Sequence, residues 1–192
     1  MARVIKDYAE EMDQLKLADE IAKVSLLRGT FTLRSGKISH YYLDKYLFST
    51  RPEILRALGA MFAARIPAGT TRLAGAELGG IPLVSSASMV SGLPCLFVRN
   101  AKKEYGTAKQ LEGKLDRGDL VVFVEDVATT GGQALEAVKV LQDAGAIVTH
   151  VICTIDRMEG ARANIEAAGV TFDSLFTVHD LGIEAEPPAA QR

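Results

Sequence analysis

Residues 120–132 read Leu-Val-Val-Phe-Val-Glu-Asp-Val-Ala-Thr-Thr-Gly-Gly, and no other stretch restricts the fold of this chain as strongly. Leu120 to Val124 is a continuous apolar run rich in β-branched residues, the pattern of a strand covered on both faces in a parallel sheet. Two carboxylates, Glu125 and Asp126, follow it, then small hydroxyl and glycine residues. Next comes a helical repeat with Leu135, Val138 and Leu141 on one face and Gly145 as its stop. Strand, acidic pair, tight loop and helix in that order commit the segment to an α/β sheet, whose ligand crevice lies at the carboxyl ends of the strands.

The loop Ala128-Thr129-Thr130-Gly131-Gly132 precedes a helix, so its backbone N–H groups gather at the positive end of that helix. Its two glycines let the main chain approach a ligand closely, which makes the loop a phosphate cradle. Glu125 and Asp126 would repel phosphate. They suit the hydroxyls of a sugar that carries the phosphate, or the water shell of a divalent cation. The combination points to a ribose 5-phosphate. An apolar strand, glycine turn and helix occur in any doubly wound protein; the acidic pair is what tips the reading toward a site.

A chain of 192 residues fits one domain, and no internal repeat, low-complexity tract or second core is visible. The net charge of −2 argues against a general nucleic-acid or membrane-surface role. No apolar run nears the ~18 residues of a membrane span, and the first residues carry no signal-like segment, so a cytosolic protein is expected. Cys95 and Cys153 lie in apolar strand-like runs and read as buried small hydrophobes. His40, His150 and His179 lack metal-ligand spacing, and no metal held directly by protein side chains is expected.

Taken in order, Met12–Leu27 has helical periodicity, and residues 31–45 read as two short extended runs turning at Ser35-Gly36. Arg34, Lys37, Tyr41 and Tyr42 near that turn either grip a flat anion or decorate a solvated hairpin tip; the residues alone favour the tip. A helix starts at Pro52, a strand spans 72–76, and Glu77-Leu-Gly-Gly-Ile-Pro leads into a helix over 82–90. Gly79 and Gly80 serve either ligand approach or packing. After a strand over 94–98, residues 99–118 are basic, glycine-punctuated and aperiodic, as a lid over a polyanion would be. A strand over 146–155 ends in Asp156 and Arg157, the latter suited to a carboxylate and the former to pairing with it. A helix over 161–168, a strand over 172–178 and a Pro-containing tail complete the chain. Alternating strands and helices predict a mainly parallel central sheet flanked by helices, with residues 1–45 as an added subdomain.

The run from the apolar strand through Glu125-Asp126 to Thr129-Thr130-Gly131-Gly132 resembles the phosphoribosyl-pyrophosphate (PRPP) signature of the type I phosphoribosyltransferases. Phe31-Thr-Leu-Arg-Ser-Gly-Lys, Leu78-Gly-Gly-Ile-Pro, Arg99 to Gly106 and Asp156-Arg-Met-Glu extend the resemblance to the orotate phosphoribosyltransferase family over residues 12–182. The resemblance implies a single domain, 1–192, with a small N-terminal hood over about 1–45. It implies transfer of the phosphoribosyl group from PRPP to orotate, Mg²⁺ carried mainly by PRPP, and a homodimer with shared active sites. By position, Glu125 and Asp126 would hold the ribose hydroxyls, and Val127, Ala128, Thr129, Thr130, Gly131, Gly132 and Gln133 would surround the 5′-phosphate. Thr129, Arg157 and Arg34 would contact orotate. Lys103 would be the catalytic lysine of the lid, with Asp126 as the other catalytic residue, and Arg99, Lys102 and Tyr105 would serve PRPP.

The sequence departs from that family pattern at Gly79 and Asn100, where lysines are common, and at Tyr105, where histidine is common. Each lost charged contact would weaken PRPP binding by about 1.5–3 kcal/mol. Two alternatives follow: transfer to another base, such as a purine or uracil, or a non-catalytic PRPP-sensing regulator. Arg34 and Arg157 favour an anionic base, and no DNA-binding element is visible in the sequence.

Overall fold

The computed structural model describes residues 14–32, 38–100 and 110–183. Its elements are α1 (Gln14–Ser25), β1 (Leu26–Thr32), β2 (Ile38–Leu43), α2 (Lys45–Ser49), α3 (Pro52–Arg65), β3 (Arg72–Ala76), α4 (Gly80–Ser91), β4 (Cys95–Val98) and β5 (Leu111–Glu112). They continue with β6 (Leu120–Ala128), α5 (Gly132–Asp143), β7 (Ile147–Asp156), α6 (Ala161–Ala167), β8 (Thr171–Thr177) and a 3₁₀ turn, His179–Leu181.

Six strands form one sheet in the order β5-β4-β3-β6-β7-β8, parallel throughout except for the edge strand β5. The strand period of two explains why β6 is apolar without interruption. Val122 and Val124 face a core shared with Leu17 of α1, Phe62 of α3 and Leu83 of α4. Val121 and Phe123 face the opposite core, against Val138 and Leu141 of α5 and Ile165 of α6. Each such side chain removed from water contributes roughly 1.5–3 kcal/mol, so both faces hold β6 and its carboxyl end in place.

β6 does not stop at Val124. It keeps pairing with β7 through Glu125–Cys153, Val127–Ile155 and Ala128–Asp156, so the acidic pair lies within the strand. Polar side chains at a strand end leave the backbone ladder intact, which is why the change in side-chain character misplaced that boundary.

The expected lid over 99–118 is also too long. Leu111–Glu112 pairs antiparallel with β4, and the Arg99 N–H donates to the Gln110 carbonyl at 2.9 Å. Leu111 and Leu115 pack on the second core. A two-residue strand has no readable period, and the part of the lid over 101–109 lies outside the described residues.

β1 and β2 form a separate antiparallel pair, with an irregularity between Arg28 and Phe31. Leu26 and Leu27, expected to end the first helix, belong to β1. The β2 alternation buries Ser39, Tyr41 and Leu43, and Tyr41 and Leu43 join the core of α1 and α3. The turn at Ser35-Gly36 falls outside the described residues. Cys153 is buried, and burial first of all pushes its thiol pKa up; Cys95, expected to be buried, is only half-buried. Among the described residues no helix is long and apolar enough to cross a membrane.

Candidate active site

The loop between β6 and α5 turns at Gly131, whose φ of 80° is the left-handed conformation that only glycine adopts cheaply. A Cβ there would also stand 3.0 Å from Ile165. The Thr129 carbonyl accepts from the Ala161 N–H at 3.1 Å, and that of Thr130 from Asn164 Nδ2 at 2.9 Å. With these carbonyls turned to α6, the first N–H groups of α5 are left for a ligand, as at any helix start. They open on a cavity of about 500 Å³ lined by Glu125 and by Val127 to Ala134.

Glu125 also lines an adjoining cavity of about 200 Å³, together with Asp126, Arg99, Lys45 and Gln133. Asp126 is 2% exposed and both of its oxygens are engaged. Oδ1 accepts from the Val127 N–H at 2.6 Å, and Oδ2 lies 2.7 Å from the Lys45 ammonium. Glu125 Oε1 accepts from the Asp126 N–H at 3.1 Å. Burial, then the charge of Asp126 beside it, pushes the Glu125 carboxyl up to about 8. Burial by itself would lower the Lys45 pKa; Asp126, in contact with it, reverses that and leaves it raised. Glu125 is therefore shifted toward its protonated form, next to the Asp126–Lys45 pair.

The β3–α4 loop closes the other wall. The Glu77–Leu78 peptide is cis. A Cβ at Gly79 would overlap the Asp126 carboxylate, so of the two roles considered for this glycine the geometry supports packing against the acidic strand. Asn100, in place of the lysine common in the family pattern, clasps this loop. Its N–H donates to Glu77 Oε1 at 2.8 Å and its Nδ2 to the Glu77 carbonyl at 3.3 Å. Arg99 Nη1 lies 3.9 Å from Glu112, while its Nε is buried without a hydrogen-bond partner among the described residues.

Arg157 follows β7 directly, its N–H bound to the Ala128 carbonyl at 2.9 Å. Its Nη2 donates to the Tyr41 hydroxyl at 2.9 Å, and its Nε stands 2.9 Å from Glu159 Oε1. Asp156, considered as its ion partner, instead accepts from the Met158 N–H at 2.8 Å. The structure thus gathers Arg99, Glu125, Asp126 and Gln133 at one cavity and Val127 to Gln133 at the next, with Arg157 anchored to Ala128. Arg34, Lys102, Lys103 and Tyr105 lie outside the described residues. Sequence reasoning missed Lys45, Glu77 and Glu159. Tyr41, already named beside the basic turn, also faces inward in the alternation of β2.

A parallel sheet carrying an acidic pair and a phosphate-sized loop at its carboxyl edge, under a short antiparallel pair, defines a type I phosphoribosyltransferase. No family model matches the chain. It is 49% identical over 158 residues to the orotate phosphoribosyltransferase of Halobacterium salinarum, covering 82% of this chain and 89% of the relative. Against that of Methanocella arvoryzae it is 48% identical over 153 residues, covering 80% and 87%. The solved orotate phosphoribosyltransferase of Mycobacterium tuberculosis superposes with a TM-score of 0.79 at 30% identity, over 90% of this chain and 100% of that one. The chain belongs to the orotate phosphoribosyltransferases, a family of pentosyltransferases. The M. tuberculosis protein has also been solved with PRPP, and that structure matches with a TM-score of 0.74.

Proposed function

We propose that this chain transfers the 5-phosphoribosyl group from PRPP to orotate, giving orotidine 5′-monophosphate and pyrophosphate. One observation carries the reading: Glu125 lies where the two cavities meet, one walled by the α5 N-terminus and the other by Asp126, Lys45 and Arg99. A ribose held there has its 5′-phosphate on one side and its anomeric leaving group on the other.

In this reading the N–H groups of residues 129–133 bind the 5′-phosphate, and Glu125 and Asp126 orient the ribose hydroxyls. Arg157 orients the orotate carboxylate, and Thr129 and Arg34 complete the contacts to the base. The orotate nitrogen attacks the anomeric carbon as the C–O bond to pyrophosphate breaks, and the proton of that nitrogen passes to the departing pyrophosphate. Arg99, Lys102, Lys103 and Tyr105 take up the departing negative charge. The chain forms no covalent bond to the sugar; it aligns two reactants and excludes water.

The residues fit a metal that arrives with its ligand. Asp126 is already engaged by Val127 and Lys45, so PRPP oxygens would supply most of the coordination. Bound in that way, Mg²⁺ would neutralise charge on the leaving pyrophosphate. The active unit is a homodimer with active sites shared across the interface; Leu78 and Met89, 63% and 72% exposed, are apolar surface that such an interface would cover. Both reactants are water-soluble, and the reaction is set in the cytoplasm.

The test is loss of orotate absorbance in a mixture of purified protein, PRPP, Mg²⁺ and orotate, with uracil and adenine as alternative acceptors. Turnover with orotate alone is expected. Absence of turnover with PRPP uptake retained would point to a regulator, and turnover with adenine or uracil would overturn the choice of base.

A further inference from the structure

We propose that Lys45 is a positioning residue for the phosphoribosyl donor: its ammonium orients the Asp126 carboxylate for the ribose hydroxyls and supplies the cation beside the acidic pair. The proposal rests on the reading of Glu125 and Asp126 as the sugar-binding element.

Lys45 is the first residue of α2, and its backbone is fixed from both sides. The Asp44 N–H donates to the Ser25 carbonyl at 2.9 Å, and the Asp44 side chain caps α2 by accepting from the Tyr46 N–H at 3.1 Å. From that anchor the side chain reaches Asp126 Oδ2 at 2.7 Å, one-third exposed against a carboxylate that is almost fully buried. A buried carboxylate without a counter-charge is strongly destabilising. Lys45 offsets that cost, and both partners also line the cavity of Arg99 and Glu77, where a ligand can reach them.

Geometry gives the pair a function. Val127 fixes one Asp126 oxygen, Lys45 holds the other, and the backbone of Gly79 packs against the same carboxylate from the side where a Cβ would overlap it. The carboxylate is left one orientation to offer a sugar hydroxyl. An ammonium has three donors. After the contact to Asp126, two remain for a polyanion in the cavity. Position 79 has no room for a side chain, and the cations lining this cavity among the described residues are Lys45 of α2 and Arg99.

Steady-state kinetics on Lys45→Met and Lys45→Arg test the proposal. Lys45→Met should raise the KM for PRPP about tenfold or more and leave the KM for orotate within twofold, while Lys45→Arg restores most of the affinity for PRPP. A PRPP KM within twofold of wild type in Lys45→Met overturns it, as does an equal rise in both KM values. Should Lys45→Met fail to fold, as judged by circular dichroism, Lys45→Gln replaces it: impairment for PRPP in Gln but not in Arg is expected, and equal values in the two overturn the role. An inactive wild type that also fails to bind PRPP would sink the underlying reading of the acidic pair, whereas a normal Lys45 variant beside an active wild type sinks only the role of Lys45.

Discussion

The Tyr41 hydroxyl accepts a 2.9 Å hydrogen bond from Arg157 Nη2, and the Arg157 guanidinium carbon stands 4.9 Å from the centroid of the Tyr41 ring. Two chemically different contacts thus hold one guanidinium: a charged hydrogen bond and a cation over a ring face. They join the two-stranded β1–β2 sheet to the end of β7, so the side chain proposed to meet orotate is set by both sheets.

Removing the hydroxyl loosens that guanidinium without removing its charge. Tyr41→Phe is expected to lower kcat/KM for orotate by about tenfold, the size of one charged hydrogen bond, with the KM for PRPP within twofold. Arg157→Ala should cost about a hundredfold or more on the same parameter. Initial rates at varied orotate and saturating PRPP measure both; a Tyr41→Phe enzyme indistinguishable from wild type would show that the contact does not position Arg157.

Gly79 is packed on the Asp126 carboxylate, and the smallest possible side chain there meets it. Gly79→Ala should displace the acidic strand end, raise the KM for PRPP at least tenfold and lower the melting temperature by several degrees. Gly131→Ala, at a φ of 80°, should cost about 1–2 kcal/mol of stability from backbone conformation alone. Thermal unfolding with and without PRPP separates the two effects. Unchanged PRPP affinity in Gly79→Ala would be incompatible with this packing.

The raised Glu125 carboxyl gives stability a direction with pH. The folded state keeps its proton up to about 8, whereas the unfolded chain releases it near the ordinary value of 4.5. Between those limits the unfolded state binds fewer protons, so stability contributed by this group is present below about 4.5 and is lost as pH rises through about 8. The slope from one group is at most about 1.4 kcal/mol per pH unit. Melting temperatures of the ligand-free protein at pH 5, 6.5 and 8 should fall more steeply for wild type than for Glu125→Gln. Parallel curves would mean that Glu125 is ionised throughout.

Lys103, assigned by resemblance to the departing pyrophosphate, should matter most when charge develops in the transition state. Lys103→Ala is expected to reduce kcat by about a hundredfold or more and to change orotate affinity, measured by calorimetry, less than threefold. Wild-type turnover would remove this lysine from the reaction.

How far the sequence reached depends on the range over which each signal acts. The apolar run over 120–124, the glycine turn and the Leu135–Leu141 repeat are local, and they placed the strand, the loop and the helix that make the cradle. Side-chain character misled where it diverged from backbone pairing, as at Glu125 and Asp126 inside β6. It was silent where elements are too short to repeat a period, as in α2 and β5.

The amino-acid order by itself determined the alternation of elements, the acidic pair and the phosphate loop, because period, propensity and turn chemistry are written between near neighbours. Only the tertiary structure decided that Lys45 meets Asp126, that Tyr41 holds Arg157, that Asn100 fastens the Glu77 loop and that Gly79 has no room for a side chain. Those partners are far apart along the chain, and what brings them within 3 Å or so is the burial of two apolar sheet faces, which fixes where each strand ends and therefore which charges meet there.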